Sequence, residues 1–156
     1  MARADISLLF DFFVTSQRLR RYLTDALAEV GMRPDEYAVY SLLLDEGPLT
    51  STEMADMLGM PLTTLLDYVK ALDRAGHLVR TAHPFDGRAV ELSLSRSGLA
   101  AQRRANRHWE VARKGIEHGL DMPLDQVRRS LHALDDSARR ASVRQRRGQV
   151  SRSSRG

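Results

Sequence analysis

Residues 49–94 constrain this chain most, because its breakers cut the stretch into pieces that suit short helices followed by a hairpin. Thr50-Ser51-Thr52-Glu53 reads as a capping box. A hydroxyl at the N-cap and a carboxylate three residues later each cover a free backbone N–H. Met54, Ala55 and Leu58 form the apolar side of the helix that follows, and Gly59 stops it. Pro61 suits the first turn of a second helix, where its missing N–H would be unpaired anyway. Leu65, Val69 and Leu72 recur there at helical spacing and point inward. Thr63, Thr64, Asp67, Lys70 and Arg74 are left on the other side, and Gly76 ends the helix. Two extended runs, Leu78 to His83 and Ala89 to Leu94, flank the turn Pro84-Phe85-Asp86-Gly87-Arg88. The unit is a helix-turn-helix with a hairpin wing, a shape that offers one exposed helix to a major groove.

Charge narrows how such a unit could hold a polyanion. The chain has 156 residues, about one domain's worth, and a formal net charge of +4. Seven Arg and no acid fall between Arg139 and Gly156. Removing those seven from the 24 basic residues leaves 17 against 20 acidic ones. Residues 49–96 themselves hold five basic side chains and six acidic ones. Nucleic-acid binding must then rest on a few well-placed Arg, on doubling by dimerisation, and on the tail. There is no Cys, which excludes disulfides and Cys-based zinc sites. Asp5 and Asp11 interrupt the N-terminal apolar run, so it does not read as a signal peptide. No stretch approaches the roughly 20 apolar residues of a membrane span, so the expectation is a soluble cytoplasmic protein without membrane contact.

The flanks read as helices. Residues 5–30 form one long helix. Ile6, Leu8, Leu9, Phe10, Phe12, Phe13 and Val14 leave its first half almost no polar face, so another subunit is expected to cover it. Leu19, Tyr22, Leu23, Ala26, Leu27 and Val30 give a single stripe, and Gly31 closes the helix. Pro34-Asp35-Glu36 opens the next one, with Tyr37, Tyr40, Leu43 and Leu44 inward, and Gly47-Pro48 ends it. Ser95 reads as the N-cap of a helix over about 96–120, carrying Ala105, Trp109, Ala112, Ile116 and Leu120. Pro123 starts a sixth helix with a heptad-like seam of Leu124, Val127, Leu131, Leu134, Ala138 and Ala141. The fold class is mainly α with a small β-hairpin. Residues 1–33 and 97–147 form a helical dimerisation platform, 34–96 a winged helix-turn-helix lobe, and 148–156 a disordered basic tail.

At this point the chain resembles the MarR family of bacterial transcription regulators. The resemblance rests on Gly76-His77-Leu78-Val79-Arg80, on Asp86-Gly87-Arg88-Ala89-Val90, and on Leu92-Ser93-Leu94-Ser95-Arg96-Ser97-Gly98. The family's wing carries an Asp-x-Arg in this place, then an apolar strand and a hydroxyl-x-x-Gly entry to the next helix. The resemblance implies a homodimer on double-stranded DNA at a pseudo-palindromic operator. It also implies a small-molecule effector, often an aromatic acid or phenol, in a pocket between the two lobes. One departure stands out. Where the reading helix of such proteins commonly carries a basic residue, this chain has Asp67. A carboxylate repels phosphates, though it can accept a hydrogen bond from cytosine N4.

Arg88 leads the candidate DNA contacts, since a guanidinium at a wing tip can enter a narrow minor groove. Asp86 can hold that side chain or satisfy a neighbouring backbone N–H. Thr63, Thr64, Asp67 and Lys70 share the exposed face of the reading helix, and Thr50 and Ser51 can add phosphate contacts, though capping alone explains Thr50. Arg80 reads as structural. Tyr22, Tyr37, Tyr40 and Trp109 can line an effector pocket or simply build core. No two of the five His share a four-residue helical spacing, so no metal site and no cofactor are expected. Nothing resembles a phosphate loop or a nucleophile elbow, which argues against an enzyme. The reading is a dimeric, sequence-specific transcription regulator under small-molecule control, a repressor rather than an activator by preference, with the sign of regulation left open by the sequence. The alternative is a winged helix used for protein contacts, with weak or no DNA binding.

Overall fold

A computed structural model describes residues 7–153, with side chains described through Gln145. Asp5 and Ile6, and the end of the basic tail, lie outside the described residues. The elements in order are α1 (Leu8–Leu27), a 3-10 turn (Ala28–Val30), α2 (Pro34–Glu46), β1 (Leu49–Thr50), α3 (Ser51–Leu58), α4 (Leu62–Arg74), β2 (Leu78–Ala82), β3 (Val90–Leu94), α5 (Arg96–His118) and α6 (Leu124–Ser153). The chain divides into two compact units, residues 1–113 and 114–156.

Local chemistry accounts for most boundaries. The Ser7 hydroxyl accepts from the Phe10 N–H and starts α1. The helix expected to reach Val30 tightens into the 3-10 turn after Leu27, and Gly31 at φ +63° stops it. The Glu36 carboxylate accepts from the Arg33 N–H at 2.9 Å, and Pro34 occupies the first turn of α2. Thr50 and Glu53 form the capping box of α3, and Gly59 ends that helix in the left-handed region. Pro61 is the N-cap of α4 rather than a residue of its first turn. The Ser95 hydroxyl accepts from the Gly98 N–H and caps α5. Helix α6 runs past Gly148, where the sequence reading ends it, to Ser153.

The sheet has three strands, not two. Strand β3 lies between β1 and β2, antiparallel to both, with Leu92 opposite Leu49 on one side and Arg80 on the other. Two residues are too few to show an alternating pattern, so β1 is invisible in the sequence.

The main core joins α2, α3, α4, β3 and α5 through Val39, Tyr40, Leu43, Met54, Leu65, Tyr68, Val69, Leu72, Leu92 and Ala101. Burying each Leu is worth about 1.5–3 kcal/mol, which outweighs any single surface contact of this lobe. A second cluster, Leu27, Tyr37 and Ala105 with Trp109 beside it, ties the end of α1 to α2 and α5. Leu44 corrects the expected buried face of α2, being 43% exposed. That face centres on Tyr40 and Leu43, and one residue further turns the side chain about 100° out of it. The N-terminal half of α1 stays uncovered, with Leu8 69%, Leu9 70%, Phe10 52%, Phe12 49% and Phe13 58% exposed. Of the stripe expected on its second half only Leu27 is buried, and Leu19 and Tyr22 are exposed. Helix α6 buries none of its described side chains.

Candidate nucleic-acid interface

Helix α4 turns Leu65, Tyr68, Val69 and Leu72 into the core, which leaves Thr63, Thr64, Leu66, Asp67 and Lys70 exposed along one side. Tyr68, three residues after Leu65, shares that inward stripe and is 7% exposed, although the sequence reading did not name it. Its hydroxyl donates to Asp35 Oδ2 at 2.9 Å, and the same oxygen accepts from Arg20 Nη1 at 2.9 Å. The Arg20 guanidinium, more than the Tyr68 hydroxyl, holds the Asp35 carboxyl below its ordinary range. Helix α4 is thereby fixed to α2 and α1 by polar contacts as well as by its apolar stripe. On the exposed side Lys70 Nζ sits 3.5 Å from Asp67 Oδ1, a solvent-exposed ion pair. Thr63 and Thr64 stand at the N-terminal end, beside backbone N–H groups that have no helical partner.

The wing turn is held by side chains accepting from its own backbone. His83 Nδ1 accepts from the N–H of Phe85 at 3.2 Å and of Asp86 at 3.1 Å. Asp86 Oδ1 accepts from the Arg88 N–H at 3.0 Å, and the Asp86 carbonyl from the Ala89 N–H at 3.0 Å. Of the two roles open to Asp86, the structure has the backbone one. The Arg88 side chain is exposed and makes no ion pair among the described residues. Arg80, by contrast, pairs with Asp73 at 3.1 Å. Sequence reasoning passed over Phe85 and His83. The ring of Phe85 is 94% exposed at the tip.

Thr50 and Ser51 lie where β1 passes into α3. The Thr50 hydroxyl is engaged with Glu53, accepting from its N–H and donating to Oε2 at 2.8 Å, so capping occupies it. Backbone and side-chain bonds from Thr50 pull the Glu53 carboxyl below its ordinary value. Ser51 is partly buried at the head of α3.

The four aromatic candidates for an effector pocket do not share one cavity. Tyr37 stacks on Trp109 with ring centroids 4.2 Å apart, and its hydroxyl donates to Asn106 Oδ1 at 2.6 Å. Tyr22 lines a cleft of about 380 Å³ between α1 and α5 with Asp25, Ala26, Arg107, His108, Val111 and Ala112. Tyr40 lines a polar recess of about 160 Å³ with Glu36, His77 and Arg104. Burial, then the Glu36 carboxylate, pushes the Tyr40 phenol up to about 12. Its hydroxyl meets His77 Nδ1 at 2.5 Å. Among the described residues no group of His, Asp and Glu is placed to hold a metal ion.

A capped support helix, a second helix with one side outward and an arginine-tipped hairpin define a winged helix-turn-helix protein. Residues 36–76 match a family model described as winged helix-turn-helix DNA-binding. The HTH-type transcriptional regulator SarZ of Staphylococcus epidermidis is 28% identical over 95 residues, which span 61% of this chain and 64% of that protein. A structure of CouR bound to a 23-mer DNA duplex is 23% identical, covers 85% of this chain and 92% of that one, and superposes with a TM-score of 0.69. CouR of Rhodococcus jostii RHA1 bound to p-coumaroyl-CoA is 21% identical over 86% and 94%, with a TM-score of 0.74. Apo MarR of E. coli is 20% identical over 85% and 97%, with a TM-score of 0.66. The chain is a winged helix-turn-helix protein with the fold of the MarR family. Among the described residues no helix is long and apolar enough to cross a membrane.

Proposed function

We propose that the chain is a dimeric, sequence-specific DNA-binding transcriptional regulator, a repressor whose operator binding a small aromatic or phenolic acid modulates. The observation that carries the reading is the outward side of α4, headed by Thr63 and Thr64, beside a wing whose Arg88 is exposed and has no ion pair among the described residues. No covalent chemistry is involved. Binding would come from threonine and backbone contacts at the head of α4, from Arg88 in the adjoining minor groove, and from doubling these in a dimer. The exposed apolar residues Leu8 to Phe13 support a second copy as the cover of α1. Residues 1–33 and 97–147 would then form the dimerisation platform and 34–96 the reading lobe.

The Tyr22 cleft supports an effector site better than the Tyr40 recess. Its volume of about 380 Å³ lies within the range of small-molecule sites, and Arg107 on its wall suits a carboxylate. CouR bound to p-coumaroyl-CoA gives a precedent of the same fold. An effector would act by favouring one spacing of the two reading helices, because half-sites about 34 Å apart accept only one.

Selection of bound genomic fragments, followed by anisotropy titration with and without phenolic acids, tests this. Expected are a palindromic consensus and an affinity that a subset of ligands changes. The Asp67–Lys70 pair supports the second reading, a winged helix for protein contacts, since it offsets the Lys70 charge on the outer side of α4. Failure to enrich any fragment would favour that reading.

A further inference from the structure

The wing tip carries an apolar group that the proposed function does not use. Phe85 is 94% exposed, more than any other large hydrophobic side chain described. It belongs to a tight turn rather than a loose end. His83 Nδ1 accepts from the N–H groups of Phe85 and Asp86 at 3.2 and 3.1 Å. Accepting twice requires the Nδ1 lone pair, so the neutral ring carries its proton on Nε2, which lies 3.7 Å from Glu91 Oε1. The Asp86 side chain accepts from the Arg88 N–H at 3.0 Å, and the His83 N–H donates to the Ala89 carbonyl at 3.0 Å. The Phe85 ring stands edge-on to the His83 ring, with centroids 6.3 Å apart. The turn therefore presents, three residues apart, an apolar ring and a guanidinium with no ion pair among the described residues, on a backbone whose Phe85, Asp86, Arg88 and Ala89 N–H groups are all hydrogen-bonded.

We propose that Phe85 enters the operator's minor groove together with Arg88 and acts as an apolar wedge between its sugar walls. The inference rests on the DNA-binding reading above. Deoxyribose walls offer C–H surface, and the groove, about 6 Å wide, admits a ring edgewise. The positive ring edge then meets the acceptor atoms of the groove floor, and the negative faces meet the walls. Apolar side chains inserted at the minor groove, with cationic ones beside them, are an established way to grip and bend a duplex. The adjacent cation favours duplex DNA as the occupant, since a purely apolar protein partner would have to desolvate Arg88 without pairing it.

The test uses the full chain and an operator obtained by selection. Affinity is measured across a salt series for the wild type, Phe85→Ala, Phe85→Leu and Arg88→Ala. Phe85→Ala is expected to weaken binding about tenfold or more with an unchanged salt slope, because burial of apolar surface releases no counterions. Phe85→Leu should restore part of the loss. Arg88→Ala should lower the slope by about one. Replacing G·C by inosine·C at the wing step removes only the minor-groove amino group. Wild type should bind the inosine duplex more tightly, and Phe85→Ala should not discriminate. An unchanged affinity for Phe85→Ala, with wild type binding normally, overturns the wedge and leaves the DNA reading intact. So does a loss that appears in self-association rather than in DNA affinity. Failure of the wild type to bind any selected duplex overturns both.

Discussion

The Tyr68 hydroxyl donates to Asp35 Oδ2 at 2.9 Å, joining α4 to the N-terminus of α2. Arg20 of α1 donates to the same oxygen, so one carboxylate ties three helices. Because Asp35 is held below its ordinary value of 3.8, its contribution is fully present above that pH and is lost as pH falls through the depressed value. Tyr68→Phe should cost about 1 kcal/mol at neutral pH. Asp35→Asn should flatten the acid limb of stability. Urea unfolding of wild type and both variants between neutral and acid pH checks this.

Tyr40 sets the alkaline limb. Its phenol titrates at about 12 in the folded chain against an ordinary 10.0. The folded state therefore keeps a proton that the unfolded chain loses, and the contribution is full below pH 10 and disappears as pH rises from 10 to 12. Over that window wild type should lose about 2 kcal/mol more than Tyr40→Phe. The variant should start about 1 kcal/mol lower at neutral pH, since it loses the hydrogen bond between the Tyr40 hydroxyl and His77 Nδ1. Thermal midpoints across the window give the difference directly.

Gly98 permits the closest approach in the lobe. A Cβ there would meet the His77 carbonyl oxygen at 2.3 Å. Ser95 and Ser97 both donate to the Gly76 carbonyl, at 2.7 and 2.8 Å, which draws the head of α5 against the turn after α4. Gly98→Ala should destabilise by about 1–3 kcal/mol, as overpacking does. Gly119→Ala serves as a control, because its Cβ would meet only backbone oxygens at 3.6 Å or more. A chemical denaturation pair separates the two.

Arg88→Ala should weaken operator binding by about 1–3 kcal/mol and lower the salt slope by about one, with thermal stability unchanged. Lys70→Ala should do less, because Asp67 already faces that ammonium at 3.5 Å. A salt titration of both variants on one operator gives the comparison.

Helix ends and wing were legible in the sequence because their causes are local. Thr50 with Glu53, Pro34, Gly31, Gly59 and Ser95 act within a turn of themselves, and each does in the structure what its chemistry demands. What escaped depends on distant partners. Strand β1 exists because Leu92 and Glu91 lie beside it. Tyr68 is inward by its spacing from Leu65, but that its hydroxyl meets Asp35 depends on α2 packing beside it. Leu44 is outward because the core stops at Leu43. His83 read as an unremarkable strand residue until the turn closed over its ring. The exposure of Arg88 and of the α4 threonines followed from motif and face, whereas the Asp86 and Lys70 partners needed coordinates.

The central claim is that two copies of this lobe read one duplex at helical pitch. Hydroxyl-radical footprinting on a selected operator tests it most directly. The account predicts two protected patches, related by a dyad and centred about one turn, 10–10.5 base pairs, apart, flanked by minor-groove protection that Arg88→Ala removes. A single patch, or an unprotected duplex at saturating protein, would contradict it.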